Sequence, residues 1–181
     1  MQALRFIAFF AYLFAWLVFA VGAIAGAIPR IQKQSIRIRP ATIIGTALQI
    51  GAVAMITLRL NAGPLQPSVF GLAAVAVLSP FGAVLFAAAF RAGRGVGPDT
   101  LVTQGVYARL RHPMYLAFLA MLVATGLLAS AGPRLVGAVA IYLAGSELRI
   151  DAEEEDLARK FPSAFEQYRR RTRWRYLPGL R

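Results

Sequence analysis

Of the 181 residues, 58% are hydrophobic and 15% charged; there is no cysteine, one histidine and a formal net charge of +12. This balance is far from that of an average soluble domain and points to a membrane protein, while it excludes disulfides, thiolate chemistry and a histidine-rich metal site. The positive charge does not indicate nucleic acid, because basic loops beside anionic headgroups need no partner beyond the lipid bilayer.

The first apolar run, Leu4 to Ile28, is interrupted only by Arg5 at its start. It exceeds the roughly 20 residues that cross a hydrocarbon core. It is also too long for the apolar region of a signal peptide, and no small-residue cleavage site follows it, so it is expected to stay as a membrane helix. Further spans are expected at 41–58, 68–90, 114–131 and 135–148. The reading is an all-α integral membrane protein with five transmembrane helices in one membrane domain over 1–181, a tight hairpin between the fourth and fifth helices, and a cytoplasmic tail over 149–181 that is helical and amphipathic.

Punctuation between these runs is of the expected kind. Pro29 and Pro40 bound a basic loop, Asn61 opens an AsnAlaGlyPro turn, Gly132 opens GlyProArg, and 91–112 is polar. Pro80 falls inside the third run, where neighbouring helices can satisfy the freed carbonyl, so a kink is expected rather than a break. With the N-terminus outside, seventeen of the twenty basic residues and all eight acids fall on the inner side, leaving Arg5, Arg59 and Arg134 outside. The positive-inside rule therefore puts the C-terminus in the cytoplasm, in what reads as a bacterial inner membrane.

Two charged motifs sit just outside the late spans. In RHPMYL, Arg111 to Leu116, Pro113 suits the first helical position and pushes His112 into an extended conformation. The amides of Met114 and Tyr115 are then expected to be free for a carboxylate or phosphate, although His112 can equally serve as a plain cap at the headgroup boundary. The second motif, RIDAEEEDL, Arg149 to Leu157, follows an apolar stretch of only fourteen residues, about 21 Å of helix against a core of about 30 Å. Helix continuing past it carries Glu147, Arg149 and Glu153 near membrane depth, where ionisable groups usually face a cavity. Arg149 and Glu153 share a helical face, as a structural ion pair also would. Five acids among the six residues Asp151 to Asp156 repel one another and call for cations nearby.

The stretches LVTQGVYARLRHPMYL, RIDAEEEDLARKF, AFEQYRRR and the final LPG, taken together, resemble the isoprenylcysteine carboxyl methyltransferase family and its relatives among phospholipid methyltransferases. The resemblance covers 100–179 in motif terms, and 1–90 in helix pattern only. It implies a membrane enzyme using S-adenosyl-L-methionine on a lipophilic or prenylated substrate. By motif position it implies a cofactor pocket lined by Thr100, Leu101, Val102, Tyr107, His112, Pro113, Met114, Tyr115 and Glu153, with Arg149 facing the substrate as the catalytic and substrate-binding residue.

The chemistry of these residue types agrees. The cofactor brings a sulfonium, an ammonium and a carboxylate, so it needs an acid and an anion-binding helix end in one pocket; Glu153 and the Met114 and Tyr115 amides offer both. Tyr107 and Tyr115 are candidates for stacking or cation–π contact, or are simply belt aromatics. A substrate carboxylate, with a pKa near 4, is already ionised and needs no base. Arg149 can hold it bidentately. An amine acceptor must lose a proton, for which only His112 or a carboxylate is at hand. Carboxyl O-methylation is therefore favoured over lipid N-methylation.

The chain departs from the family pattern before LVTQG: the loop is short, and Asp99 stands where the family often has a histidine. GlyArgGlyValGly at 93–97 is a flexible loop rather than a nucleotide fingerprint, since no strand precedes it. In the tail, Ser163 and Glu166 have capping-box spacing, and Phe161, Phe165 and Tyr168 mark an apolar face that either lids the cofactor pocket or adheres to the membrane. Arg169 to Arg171 with Trp174 and Tyr176 read as an interfacial anchor. Two other classes compete. One is an NADPH-dependent sterol-type membrane reductase, recognisable by a basic 2′-phosphate pocket. The other is a scaffold or small transporter, for which the lack of repeat symmetry is unpromising.

Overall fold

The computed structural model describes residues 1–31, 39–60, 66–94, 96–97, 99–177 and 179, with the backbone alone for 26–31 and 59–60. Six α-helices follow in order: α1 Gln2–Ile31, α2 Pro40–Leu60, α3 Val69–Gly93, α4 Pro113–Leu128, α5 Pro133–Lys160 and α6 Pro162–Arg171, with a short 3-10 turn at Gly105–Ala108 before α4. Stretches within α1, α2 and α3 are long and apolar enough to cross a membrane, and α4 is a shorter apolar helix. The basic loop at 32–38 and the AsnAlaGlyPro turn lie outside the described residues.

Two of the expected boundaries move outward. Backbone helix in α1 passes Pro29 and ends at Ile31; a proline in the last turn deprives only one carbonyl of its partner. More consequentially, 148 is no boundary at all, since α5 runs unbroken for 28 residues from Pro133 to Lys160. At 1.5 Å per residue that is about 42 Å, so the acid cluster is held on a rigid rod instead of in a tail. α3 likewise runs helical through Pro80 and is capped at its start by the Ser68 hydroxyl, which accepts from the Gly71 amide at 3.0 Å.

α4 is apolar on every face because it is surrounded. On one side Ala117 and Met121 pack with Ala83 and Phe86 of α3 and with Ala15 and Phe19 of α1. On the other, Leu119 and Leu122 meet Ile56 of α2 and Tyr142 of α5. α1 shows the complementary pattern: Ala8, Ala15 and Phe19 are buried at helical spacing, whereas Phe6, Phe10, Phe14 and Leu17 are exposed. Those exposed rings suit a lipid-facing surface, since no aqueous surface favours so large an apolar patch.

Four residues link α4 to α5. Ser130 and Gly132 take positive φ there, and the Ala131 amide returns to the Gly126 carbonyl at 2.9 Å. The helices then run back past each other, with the Tyr142 hydroxyl donating to the Tyr115 carbonyl at 2.8 Å. α2 and α5 cross at Gly45 and Gly145, where a Cβ on either would lie 2.6 Å from the other's carbonyl oxygen. Small residues at a membrane-type crossing let backbones approach this closely.

α6 begins at Pro162, with Phe161 as its cap residue and no side-chain cap bond. Ser163 is thus inside the helix, and the capping box does not form; proline's fixed φ sets the helix start two residues earlier. Phe165 and Tyr168 are buried, as the apolar spacing indicates. Beyond α6 the chain folds back, and Tyr176 sits 1% exposed beside Tyr115 and Ile150. It is a core residue and not an interfacial anchor; Trp174, at 44% exposure, alone of the pair has an open ring.

Candidate functional site

One end of the bundle gathers the charge. Arg39 at the start of α2 bridges Glu155 and Asp156 at 2.7 and 3.0 Å, and Lys160 lies 3.6 Å from Asp99. The start of α4 and the latter half of α5 meet at this same end.

His112 precedes the helix with φ −130° and ψ 60°, and Pro113 takes the first helical position, as the sequence indicates. Its ring does not cap the helix. Instead it lies between two consecutive acids of α5, with Nδ1 3.4 Å from Glu153 Oε2 and Nε2 3.2 Å from Glu154 Oε1. Residues i and i+1 on a helix diverge by about 100°, so the imidazole is straddled and not stacked on one face. Arg111 completes the inner side: Nε donates to Glu154 Oε1 at 2.8 Å, and Nη1 donates to the Thr172 and Arg173 carbonyls at 2.7 and 2.9 Å. The segment is also pinned by its backbone, since the Arg111 and His112 amides donate to the Trp174 and Arg175 carbonyls at 3.0 and 2.8 Å.

Arg149 forms the outer side. Its Nη2 is 3.6 Å from Glu153 Oε1, its guanidinium carbon lies 5.4 Å from the centre of the Tyr115 ring, and the Tyr115 hydroxyl donates to the same Glu153 carboxylate. Nη1 donates to Gln49 Oε1 of α2 at 2.8 Å; Gln49 Nε2 in turn donates to Ser146 Oγ at 2.9 Å. Nε of Arg149 is buried, with no hydrogen-bond partner among the described residues.

The charges reinforce one another. Burial alone would lower the His112 pKa, but hydrogen bonds to and charges on Glu153 and Glu154 outweigh it and raise the imidazole above 6.5. Burial opposes ionisation of Glu154, yet hydrogen bonds from His112 and Arg111 prevail and bring its carboxyl down to about 2. Glu153 is lowered similarly, against its burial, by His112, Tyr115 and Arg149. The arrangement favours an imidazolium between two carboxylates over the neutral ring.

His112, Tyr115, Arg149 and Glu153 are therefore brought together, with Pro113 buried beneath. Other expected site residues are placed differently. The Tyr115 amide is not free, because it donates to the His112 carbonyl at 3.2 Å, closing the first turn. The expected pair of open amides is corrected to that extent. The Met114 side chain packs toward the Phe19 and Phe86 cluster, away from the acids. Thr100, Leu101 and Val102 lie in the irregular segment before the 3-10 turn, and among the described residues no hydrogen bond or ion pair joins them to the cluster. The Tyr107 carbonyl accepts from the Tyr168 hydroxyl of α6 at 2.8 Å.

Four participants were not anticipated: Gln49, Arg111, Glu154 and Arg175. Gln49 carried a signal, being an amide in the middle of an apolar span. The cations called for by the acid cluster are partly local, Arg159 meeting Asp156 at 2.6 Å as a nearby arginine can, and partly come from distant elements. Besides Arg39 and Arg111, Arg175 reaches Glu147 and Asp151, both at 2.7 Å, and Glu154 at 3.6 Å. Arg111 and Arg175, with Glu154, Arg169, Arg170 and Arg173, line an open hollow of about 500 Å³.

Residues 95–159 match the family model of the isoprenylcysteine carboxyl methyltransferase (ICMT) family. The matched stretch contains His112, Tyr115, Arg149 and Glu153 and supports a membrane methyltransferase. No curated protein and no solved structure matches the chain.

Proposed function

We propose that this chain is an S-adenosyl-L-methionine-dependent membrane methyltransferase whose site opens at the cytoplasmic face and which O-methylates the carboxylate of an isoprenylcysteine-like or other prenyl or lipid acid. One observation carries the reading: inside the family-matched stretch, a carboxylate and an arginine with an unpartnered Nε converge around His112 and Tyr115 where α4 meets α5. The one-sided distribution of basic residues supports the orientation.

The residues suit the cofactor. Glu153 keeps 41% of its side chain exposed and stays ionised, as a ligand for an ammonium must be. When bound, S-adenosyl-L-methionine supplies a methyl group on a sulfonium. Glu153 holds the ammonium end, and 100–102 with Tyr107, carried over by motif position, wall the pocket. Arg149, whose side chain keeps 30% of its surface exposed, orients the acceptor carboxylate. Positioning then does most of the work, because opposite charges cancel in the transfer and a dry pocket does not oppose it.

Proton inventory favours the carboxyl acceptor over a phospholipid amine. Two flanking carboxylates favour the protonated ring of His112 over the neutral one, and Glu153 with a lowered pKa is a weak base. Neither readily takes a proton from an amine.

Purified protein assayed for transfer of tritiated methyl to prenylated cysteine, fatty acids, quinone precursors and phospholipid amines tests the reading. Base-labile methyl ester on an acid is expected. Label confined to amines moves the chain to the N-methyltransferases, and no label on any acceptor sinks the proposal. A reductase draws on one observation, the arginine-lined hollow, which suits a 2′-phosphate; oxidation of NADPH by the same preparation would establish it.

A further inference from the structure

The hollow beyond Glu154 is not used by the methyl-transfer reading, and its lining is one-sided: five arginines and a single carboxylate. Some of that charge has a local explanation. Arg169 and Arg170 complement the C-terminal end of α6 and pair with Glu166 at 3.2 and 3.0 Å. Arg111 is occupied by Glu154 and two carbonyls, and Arg175 by Glu147 and Asp151. Two features remain without one. Arg173 lies beyond the helix, and among the described residues its guanidinium has no acid within 4.0 Å and no hydrogen bond. Arg175 Nε is buried with no hydrogen-bond partner among the described residues.

We propose that this hollow binds a phosphate group. Several guanidiniums converging from α6, the segment after it and the start of α4 match the multiple oxygens of a phosphate better than the two of a carboxylate. The volume of about 500 Å³ admits a headgroup or a diphosphate, and the open mouth leaves the rest of the ligand outside. The site is separate from the cluster on the other side of Glu154, and the proposal stands whether or not the chain methylates. Both an anionic lipid headgroup and a free phosphate ester have the required chemistry.

Full-length protein in nanodiscs or detergent separates the sources. Binding is followed by fluorescence of Trp174, which neighbours Arg173 and is half-exposed, and independently by thermophoresis. One arm titrates inorganic diphosphate in neutral detergent, and a second compares phosphatidylglycerol with phosphatidylcholine nanodiscs. Saturable binding of diphosphate assigns a soluble phosphate ligand; a response to phosphatidylglycerol alone assigns a lipid headgroup. In either case Arg173→Gln weakens binding about tenfold and Arg169→Gln adds to the loss. Added salt weakens it too. The Arg173 guanidinium has no partner among the described residues, and its carbonyl, which accepts from Arg111, survives the substitution, so the variant is expected to keep the wild-type melting temperature. Absence of saturable binding in both arms, or an Arg173→Gln variant that binds as tightly as wild type, overturns the proposal.

Discussion

Arg149 Nη1 donates to Gln49 Oε1 at 2.8 Å across the α2–α5 crossing, and this bond fixes the arginine that also faces Glu153 and the Tyr115 ring. Gln49 is itself anchored through Ser146 to the Tyr142 carbonyl, so the guanidinium is aimed by two helices at once. Gln49→Leu removes the aim but leaves the charge. The expected result is a several-fold rise in acceptor KM with cofactor affinity unchanged, because a misplaced donor loses orientation before it loses attraction. Arg149→Ala is the harsher change, expected to abolish turnover while sparing cofactor binding. If calorimetry shows cofactor affinity falling in parallel with turnover, Arg149 belongs to the cofactor and not to the acceptor.

Cofactor affinity is expected to rest on Glu153 and His112. Binding of S-adenosyl-L-methionine in the micromolar range corresponds to about −8 kcal/mol. Glu153→Gln removes the charge that an ammonium needs, and His112→Ala removes the ring hydrogen bonding to Glu153. Each is expected to weaken binding by about tenfold or more. Titration calorimetry in detergent checks this, and wild-type protein giving no binding heat ends the argument at once.

The buried pair behind them governs stability. Arg111 and Glu154 have side chains only 4% and 9% exposed and lie 2.8 Å apart. Removing one partner of such a pair strands the other charge and costs about 3–5 kcal/mol. Glu154→Leu is therefore expected to destabilise strongly, and the Arg111→Met, Glu154→Leu double variant to recover part of that loss. Thermal unfolding in one detergent measures both. Additive losses in the double variant would mean that the two residues act separately.

The helices were legible where hydropathy alone decides. α1, α2 and α3 carry long apolar runs, and their ends moved by a few residues at most. α5 was legible in part: fourteen apolar residues are too few to cross, and the helix indeed continues through Arg149 and Glu153. The spacing also put those two on one face, where they are 3.6 Å apart. What the sequence could not supply were partners distant along the chain. Gln49 meets Arg149 a hundred residues away, and Arg175 reaches the acids only because the tail folds back over the start of α4. Tyr176 shows the same limit. An aromatic after a basic run has the composition of a membrane anchor, and only the return of the chain makes it core.

Close approach at the α2–α5 crossing predicts a packing defect that reaches the site. A methyl on Gly45 meets the Gly145 carbonyl and Arg149 Cγ, both at 2.6 Å. The carbonyl is backbone and cannot turn aside. Gly45→Ala is expected to part the helices and to cost about 1–3 kcal/mol. It should also lower acceptor affinity by shifting Arg149, whereas Gly51→Ala, with open space around it, leaves both unchanged. Equal effects of the two substitutions in unfolding and in acceptor titration would exclude the crossing as their cause.

Stability should follow pH on two limbs with different owners. The folded-state pKa of Glu154 is depressed to about 2 from 4.5, so its contribution is complete above 4.5 and is lost as pH falls toward 2. His112 is shifted the other way: raised above 6.5, it contributes fully below that value, and its contribution fades as pH rises through the folded-state pKa. Between 4.5 and 6.5 both are present, and the melting temperature in detergent is expected to be highest there. His112→Asn, which keeps a polar side chain but cannot titrate, is expected to flatten the alkaline limb and to shrink the acid one, since His112 helps hold the Glu154 carboxyl down and Arg111 alone then remains to do so. Glu154→Gln removes its own acid contribution and weakens the alkaline limb as well, because His112 loses one of the two carboxylates that raise it. Wild-type protein with a flat melting profile above 6.5 would show that His112 does not hold its proton between the two acids, and the case against an amine acceptor would go with it.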